Sequence, residues 1–477
     1  MPKPKSNPSR EKGKGKANAS ASTRKRTRGA SETEKGNKKR RKTTALNKAP
    51  TQRLNVYVFG ANENGELGLG PSAAEEVIRP RLNPHLSADS VGVVQLAVGG
   101  MHCAALTHDN KILTWGVNDL GALGRDTTWD GGMVDLSDAE DDVDPERNPK
   151  ESTPGEVEMD NVPNGTIFVQ LTAGDNCTFA LTSEGTVYGW GTLRTTDGAT
   201  KFQPDIDIQR TPALIPELEK VTKIEAGCNH VLALASDGRV YTWGFSDQDQ
   251  LGRRVLKRRA GPWAGLNPRK LRLKDVVDIG VGSDHSFAIT KDECVYGWGL
   301  NNFGQTGIAE NAGTDAATVI APTKIDGLTE VSQIVGGNKH SIALTTGGDC
   351  YVWGRLDSSA TGMDLDALPD EGVIYDRRDK PRILSKPTPL PDLKVSFIAA
   401  GGDHSLVISQ GDRKPYSWGF NGNHQTGHNV EDDVETPTKI VSKSIRDKEF
   451  VWAGAGGQFS LLAEEVVITV ESDESDE

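Results

Sequence analysis

The side chains best suited to chemistry are five histidines, each three residues after a glycine: His102, His230, His285, His340 and His404, in GGMH, GCNH, GSDH, GNKH and GGDH. A neutral imidazole can act as base or metal ligand. A group that recurs at one place in a repeat, however, is architectural before it is catalytic. No nucleophile stands beside a base in a known spacing, and no GxxxxGK[ST] loop is present to cradle phosphate. The five cysteines (Cys103, Cys177, Cys228, Cys294, Cys350) show no CxxC or zinc spacing; they read as reduced thiols in core positions of an intracellular protein. Asp175 is different, being the lone acid at its place in the repeat. It could accept hydrogen bonds from a partner's amides or pair with its lysine. The chemistry implied is recognition, with no covalent step.

The elements that must position these groups follow from the repeat. A turn, a short apolar run, a polar turn and a second run ending in Trp-Gly make a β-hairpin, as in Gly282 to Gly299, GSDHSFAITKDECVYGWG. The first half occurs seven times, from GGMHCAAL at Gly99 to GGQFSLLA at Gly456, and the aromatic-Gly end seven times, from Phe59-Gly60 to Trp418-Gly419. The two sets are out of phase: Phe59-Gly60 has no first half before it and Gly456 to Ala463 has no Trp-Gly after it. The pattern predicts an all-β, seven-bladed β-propeller in which Leu54 to Phe59 pairs near Phe459 to close the ring and protect its edges. The expected organisation is a basic tail over 1–50, a propeller over 51–463 and an acidic tail over 464–477. No apolar run is long enough to span a membrane, and the start carries no apolar signal segment.

With strands A to D in each blade, parity puts the A–B and C–D connections on one face and the B–C turns on the other. The B–C turns are short (SDGR, KDEC, TGGD), and the long insertions lie between C and D, so function is expected on the elaborated face. Most C–D connections begin with an Asn-to-Gly motif, such as NENGELG, NDLGALG, NNFGQTG and NGNHQTG. Those glycines read as loop architecture. One blade departs: after Trp190-Gly191 comes TLRTTDGATKF, without an LG or TG ending, and this loop is the strongest candidate for a job of its own.

Charge is split unevenly. The chain holds 55 Lys+Arg and 67 Asp+Glu; residues 1–50 hold 17 and 3, leaving 38 and 64 for the rest, so a tail of +14 precedes a body of −26. The tail lacks the apolar residues to fold alone. Its clusters Arg24, Lys25, Arg26, Arg28 and Lys38, Lys39, Arg40, Arg41, Lys42 have the spacing of a bipartite nuclear import signal for an import receptor, and suit DNA phosphates. The segment RRVLKRRAGPWAGLNPRKLRLK (253–274) is a basic island on the acidic body, and 135–160 is strongly acidic.

The sevenfold GxxH…WG pattern over residues 54–463, with GALGRDT (121–127) and WGTLRTTDGATKF (190–202), resembles the regulator of chromosome condensation family in its fungal-type version. The resemblance implies a chromatin-bound, monomeric exchange factor for the nuclear GTPase Ran, without a cofactor of its own. It implies that Leu193, Arg194, Thr195, Thr196, Asp197, Gly198, Ala199, Thr200, Lys201 and Phe202 form a β-wedge against the GTPase. It places Asp175, His102 and Arg253 on the GTPase-facing rim, and Arg258, Arg259 and Arg269 against the acidic patch of the histone dimer. Three positions depart from the family pattern: Asn229 replaces an Asp, and Lys339 and Phe459 replace His. The competing reading is a propeller scaffold that binds chromatin or proteins without exchange, or a photoreceptor-like relative, which would need extra Trp clustered with Arg.

Overall fold

The computed structural model describes residues 45–131, 147–256, 261–315 and 317–467. The chain divides into two units, Met1–Thr43 and Thr44–Glu477; the first, with the predicted import signal, lies outside the described residues. Among the described residues no helix is long and apolar enough to cross a membrane.

The described residues of the second unit form seven antiparallel blades, I to VII. Blade II shows the pattern: A is Phe168–Ala173, B is Cys177–Thr182, C is Val187–Gly191 and D is Gln209–Leu214, paired in that order. The predicted closure is present. Arg53–Ala61 pairs with Phe459–Val466 over eight partners, from Arg53↔Val466 to Gly60↔Phe459, as strand C of blade VII. In blade V strand D runs on without a break into strand A of blade VI, as Pro381–Ala400. The A strands touch their neighbours in a cycle, beginning Val93–Val98, Phe168–Ala173, Val221–Ala226 and ending with Phe450–Ala455 against Val93–Val98. They form the inner wall of the ring.

The third residue of the A strand links one blade to the next. Gln95 exchanges two hydrogen bonds with the backbone of Leu171, Gln170 with Ile224 and Gln333 with Ile398. Lys223 donates to the Ile279 carbonyl at 2.9 Å and to Asp278 at 2.6 Å, and Phe397 meets Trp452 at 6.3 Å between ring centroids. Each link uses a position that a strand bulge turns toward the neighbouring blade.

The five repeated histidines are a second set of inter-blade links. His102 of blade I meets Thr178 of blade II at 2.8 Å; Thr178 Oγ1 and Trp190 Nε1 both donate to the Ala122 carbonyl in the C–D loop of blade I. The hydroxyl proton is engaged by that carbonyl, so the imidazole Nε2–H donates. The same arrangement joins His230 to Ser286, His285 to Ser341, His340 to Ser405 and His404 to Ser460. Where His is absent, so is its acceptor: Cys177 and Phe459 are followed one blade later by Val231 and Cys103. All five imidazoles are fully buried.

The motif-ending glycines have a definite steric role. Gly124 adopts φ +66°, and a Cβ there would lie 2.8 Å from the Trp190 indole of the next blade. Gly68, Gly252, Gly362 and Gly427 meet Trp115, Trp298, Trp418 and Phe59 in the same way.

Residues 45–52 run from blade II toward strand C of blade VII. The Leu46 and Asn47 amides donate to the Ser183 carbonyl, and Asn47 Nδ2 to the carbonyls of Thr182 and Val221. Removing residues 1–44 should leave the melting temperature unchanged. Removing 1–60 takes away strand C of blade VII and should abolish the cooperative melt seen by circular dichroism, because strand Phe459–Val466 then loses its partner and Phe59 its buried place.

Candidate functional site

The divergent loop of blade II is a small hairpin of its own. Leu193–Arg194 pairs with Thr200–Lys201, and the turn between them is closed by Thr195 N–H to the Ala199 carbonyl (2.9 Å) and Gly198 N–H to the Thr195 carbonyl (3.0 Å). Gly198 takes φ +88°, which favours glycine. The Thr195 hydroxyl donates to the Asp197 carboxylate, which holds that carboxyl below its ordinary range. Thr196, Asp197 and Ala199 at the tip are exposed.

The base is rigid for an apolar reason. Leu193 and Phe202 are buried, and Phe202 stacks on Phe179 at 6.1 Å, which meets Trp243 of blade III edge-on at 5.7 Å. This II–III boundary is the one where Cys177 and Val231 replace the imidazole–hydroxyl link, so the hairpin's own side chains fill the space that LG or TG loops fill elsewhere. Polar ties complete the base: Thr192 Oγ1 to the Asp207 carbonyl at 2.6 Å, Phe202 N–H to the Ile206 carbonyl at 2.8 Å, and Lys201 Nζ to Asp207 at 2.8 Å. Lys201 also lies 5.1 Å from the ring centre of Trp263, in the blade III insertion, a contact that nothing in the spacing of the sequence announces.

Asn229 accepts from the Arg194 backbone N–H at 2.7 Å. That amide needs an oxygen acceptor and no charge, so the departure at this position keeps the hydrogen bond. Asp175 is half-buried near Cys228 and Arg194; burial pushes its carboxyl up, against the pull of Arg194. Burial, with Asp175 and Asp247 nearby, pushes Asp284 up to about 6. This rim is therefore a desolvated acidic sector around the foot of the hairpin.

Two rim expectations need correction. His102 is fully buried between blades I and II and presents no atom to a partner; Met101 beside it is exposed instead. Arg253 turns inward, with Nε on Thr242 Oγ1 at 3.2 Å and a second nitrogen on the Thr242 and Gly265 carbonyls, as Arg125 does on Thr114 in blade I. Both arginines brace a C–D loop against its own strand C. Phe459, the third departure, is buried at the VII–I boundary. Lys339 does lie on the rim, half-buried, with Nζ 5.0 Å from the Phe303 ring centre.

Of the basic-island residues, Arg258 and Arg259 lie outside the described residues. Arg269 is in strand D of blade III, exposed and paired with Glu217 at 2.9 Å. The core expectation for cysteine holds for Cys103, Cys177 and Cys350; Cys228 and Cys294 are half-buried at turns. Among the described residues no cluster of His, Cys, Asp and Glu could hold a metal.

A sevenfold ring whose inner wall and histidines are structural, and whose one aberrant connection is a braced, exposed hairpin, defines a platform for one protruding element. The chain belongs to the RCC1-like domain family, which matches residues 55–462. It is 42% identical over 418 residues to Protein pim1 of Schizosaccharomyces pombe, covering 87% of this chain and 75% of that one. It is 40% identical over 425 residues to the guanine nucleotide exchange factor SRM1 of Saccharomyces cerevisiae (86% and 87%), and 31% identical over 420 residues to the regulator of chromosome condensation of Xenopus laevis (85% and 89%). The crystal structure of Prp20p from Saccharomyces cerevisiae, described with its binding to Gsp1p and histones, matches at TM-score 0.79 and 37% identity over 88% of this chain and 93% of that one. Yeast RCC1 (Prp20) with Kap60 bound matches at TM-score 0.80 and 36% identity (92% and 97%).

Proposed function

We propose that the protein is a guanine-nucleotide exchange factor for the nuclear GTPase Ran, held at chromatin in the nucleus, with the Leu193–Phe202 hairpin as its wedge. The single observation that carries this is the hairpin itself: a tip exposed at Thr196, Asp197 and Ala199 on a base locked by Leu193, Phe202 and Asn229. The likeness to SRM1, a guanine nucleotide exchange factor, supports the same reading.

Exchange needs no bond to be made or broken in the factor. A protein that binds the nucleotide-free GTPase more tightly than the loaded form weakens nucleotide binding by that same factor. Each tenfold corresponds to about 1.4 kcal/mol of that difference. A stiff hairpin suits this role, because a tip that yields on contact would absorb the strain that it must impose on the GTPase. The basic tail and the basic island are assigned to DNA phosphate and the histone surface, and the bipartite clusters to an import receptor. The core claim is tested by following release of a fluorescent GDP from Ran with and without a catalytic amount of the full chain. Acceleration is expected; an unchanged rate discards the reading.

Asn229 gives a finer check. Asn229→Ala should slow GDP release several-fold while costing about 1 kcal/mol or less of stability, the ordinary net value of one hydrogen bond. Asn229→Asp keeps an acceptor for the Arg194 amide and should restore the rate. Equal rates for the alanine variant and the unaltered protein would show that this tie does not hold the wedge.

A further inference from the structure

The wedge sits on blade II, and three blades further round the ring, on the same elaborated face, blade V gathers a cluster of basic side chains. Lys339 Nζ, the Arg355 guanidinium and the Arg382 guanidinium lie 5.0, 5.4 and 4.9 Å from the centre of one ring, Phe303, which is itself buried. Outward from them the C–D insertion of blade V lines a cavity of about 930 Å³ with Tyr375, Arg377, Arg378, Lys380 and Arg382. The two carboxylates in that lining are occupied internally. Asp357 takes Arg355, and Asp376 accepts the backbone amides of Arg378 and Lys380 at 2.7 and 2.9 Å, which hold it below the carboxylate range. Among the described residues no ion pair within 4 Å engages Arg377, Arg378, Lys380 or Arg382. Tyr375 and Leu365, at the edge of the cavity, are 55% and 50% exposed.

A seven-bladed face presents a docking problem. Its backbone offers seven nearly equivalent rotational registers, and a wedge works in one. Charge is the simplest way to choose among them, because it acts before contact and penalises the wrong register by like-charge repulsion. Here the rim around the wedge is acidic, with Asp175 and Asp284, whereas blade V sets basic side chains in a line from Lys339 at the rim to Arg377 and Arg378 at the outside. On a body of −26 (38 basic against 64 acidic residues after the tail) this is a local concentration of positive side chains, in an insertion (355–382) that holds 5 Lys+Arg and 7 Asp+Glu.

We infer that the basic spoke of blade V, Lys339–Arg355–Arg382 with Arg377, Arg378 and Lys380, receives an acidic surface of the GTPase and sets its rotational register over the wedge. The inference rests on the exchange reading and extends it beyond the wedge. The apolar edge of the cavity, Tyr375 and Leu365, fits a protein partner with a side chain to bury better than it fits a bare phosphate backbone. The spoke then contributes chiefly to the rate of productive encounter, and the wedge to the release of nucleotide once the GTPase is docked.

The test uses the full chain carrying Arg377→Glu, Arg378→Glu and Lys380→Glu together, three exposed positions on a turn, so folding is not at stake. At about 50 mM salt kcat/KM for release of GDP from Ran should fall at least about tenfold, and at about 500 mM the gap should shrink below about twofold, with kcat at saturating Ran unchanged. A kcat/KM within about twofold of the unaltered protein at low salt overturns the inference. Binding of nucleotide-free Ran, measured by calorimetry on the same variants, separates the two readings. Weakened binding without any exchange by the unaltered protein would sink the exchange reading and keep the spoke. Loss of affinity for a short DNA duplex, with Ran binding intact, would reassign these residues to phosphate and overturn the proposal.

Discussion

Replacing Thr195–Gly198 by two glycines is expected to slow GDP release from Ran by at least about 100-fold, equivalent to about 2.7 kcal/mol of lost transition-state stabilisation. The residues removed make the turn contacts of the hairpin and its exposed tip, while Leu193 and Phe202 stay buried and keep the stack on Phe179. The melting temperature should therefore move by no more than a degree or two. Phe202→Ala is the complementary variant. It empties a site in the II–III boundary, so it should cost about 3 kcal/mol of stability as well as activity. A tip variant with full exchange activity would remove the hairpin from the mechanism; a tip variant that melts early would place the tip in the fold.

The second large effect is on acid stability. Burial lowers the imidazoles of His102 and His340 to about 4, and those of His230, His285 and His404 to about 3. An unfolded histidine titrates near 6.5. The unfolded chain therefore binds more protons in the window from about 6.5 down to the folded values, and stability falls as pH falls through it. At pH 5 linkage puts the loss at up to about 2 kcal/mol for each histidine. Four groups oppose it. Burial raises the carboxyls of Glu151, Asp175 and Glu225, and raises Asp284 to about 6, so these gain protons in the folded state and their burial becomes easier in acid. Exposed carboxylates held low, such as Asp412 at about 2, act only in stronger acid. With the five inter-blade imidazoles, and His428 also lowered by burial, against four carboxyls, the melting temperature should drop on the order of 10 °C between pH 7.5 and pH 5. Every one of the five joins two blades, so the loss should be cooperative. A melting temperature flat across that interval would show that the links tolerate a proton.

The histidines also show how far residue types alone can be read. Recurrence at one place in five of seven copies marks them as architecture, and burial at the blade boundaries agrees. Recurrence does not reveal the partner: Ser or Thr at the next position, one blade on, present where the previous blade has His and absent where it does not. The pairing is a covariation over 56 to 76 residues of chain, invisible inside any one repeat. His102, which the family resemblance places on the rim, is buried, and half-buried Arg253 is tied to its own blade: a position shared with a family does not decide which way a side chain points. Arg253 is drawn inward by two carbonyls and a hydroxyl of its own blade.

By itself the sequence determined the number of blades, their strand order, the closure by residues 54–59 and the identity of the divergent loop. All of these come from a local hairpin period, set by turn residues and the offset from His to Trp, and from the counting of copies. The tertiary structure alone decided how that loop is held, through Phe179, Trp243, Asn229 and Trp263 from other segments. It also decided that Lys339, Arg355 and Arg382 converge on Phe303. Those groups lie in different strands and loops, and only the packing of one blade on the next brings them together.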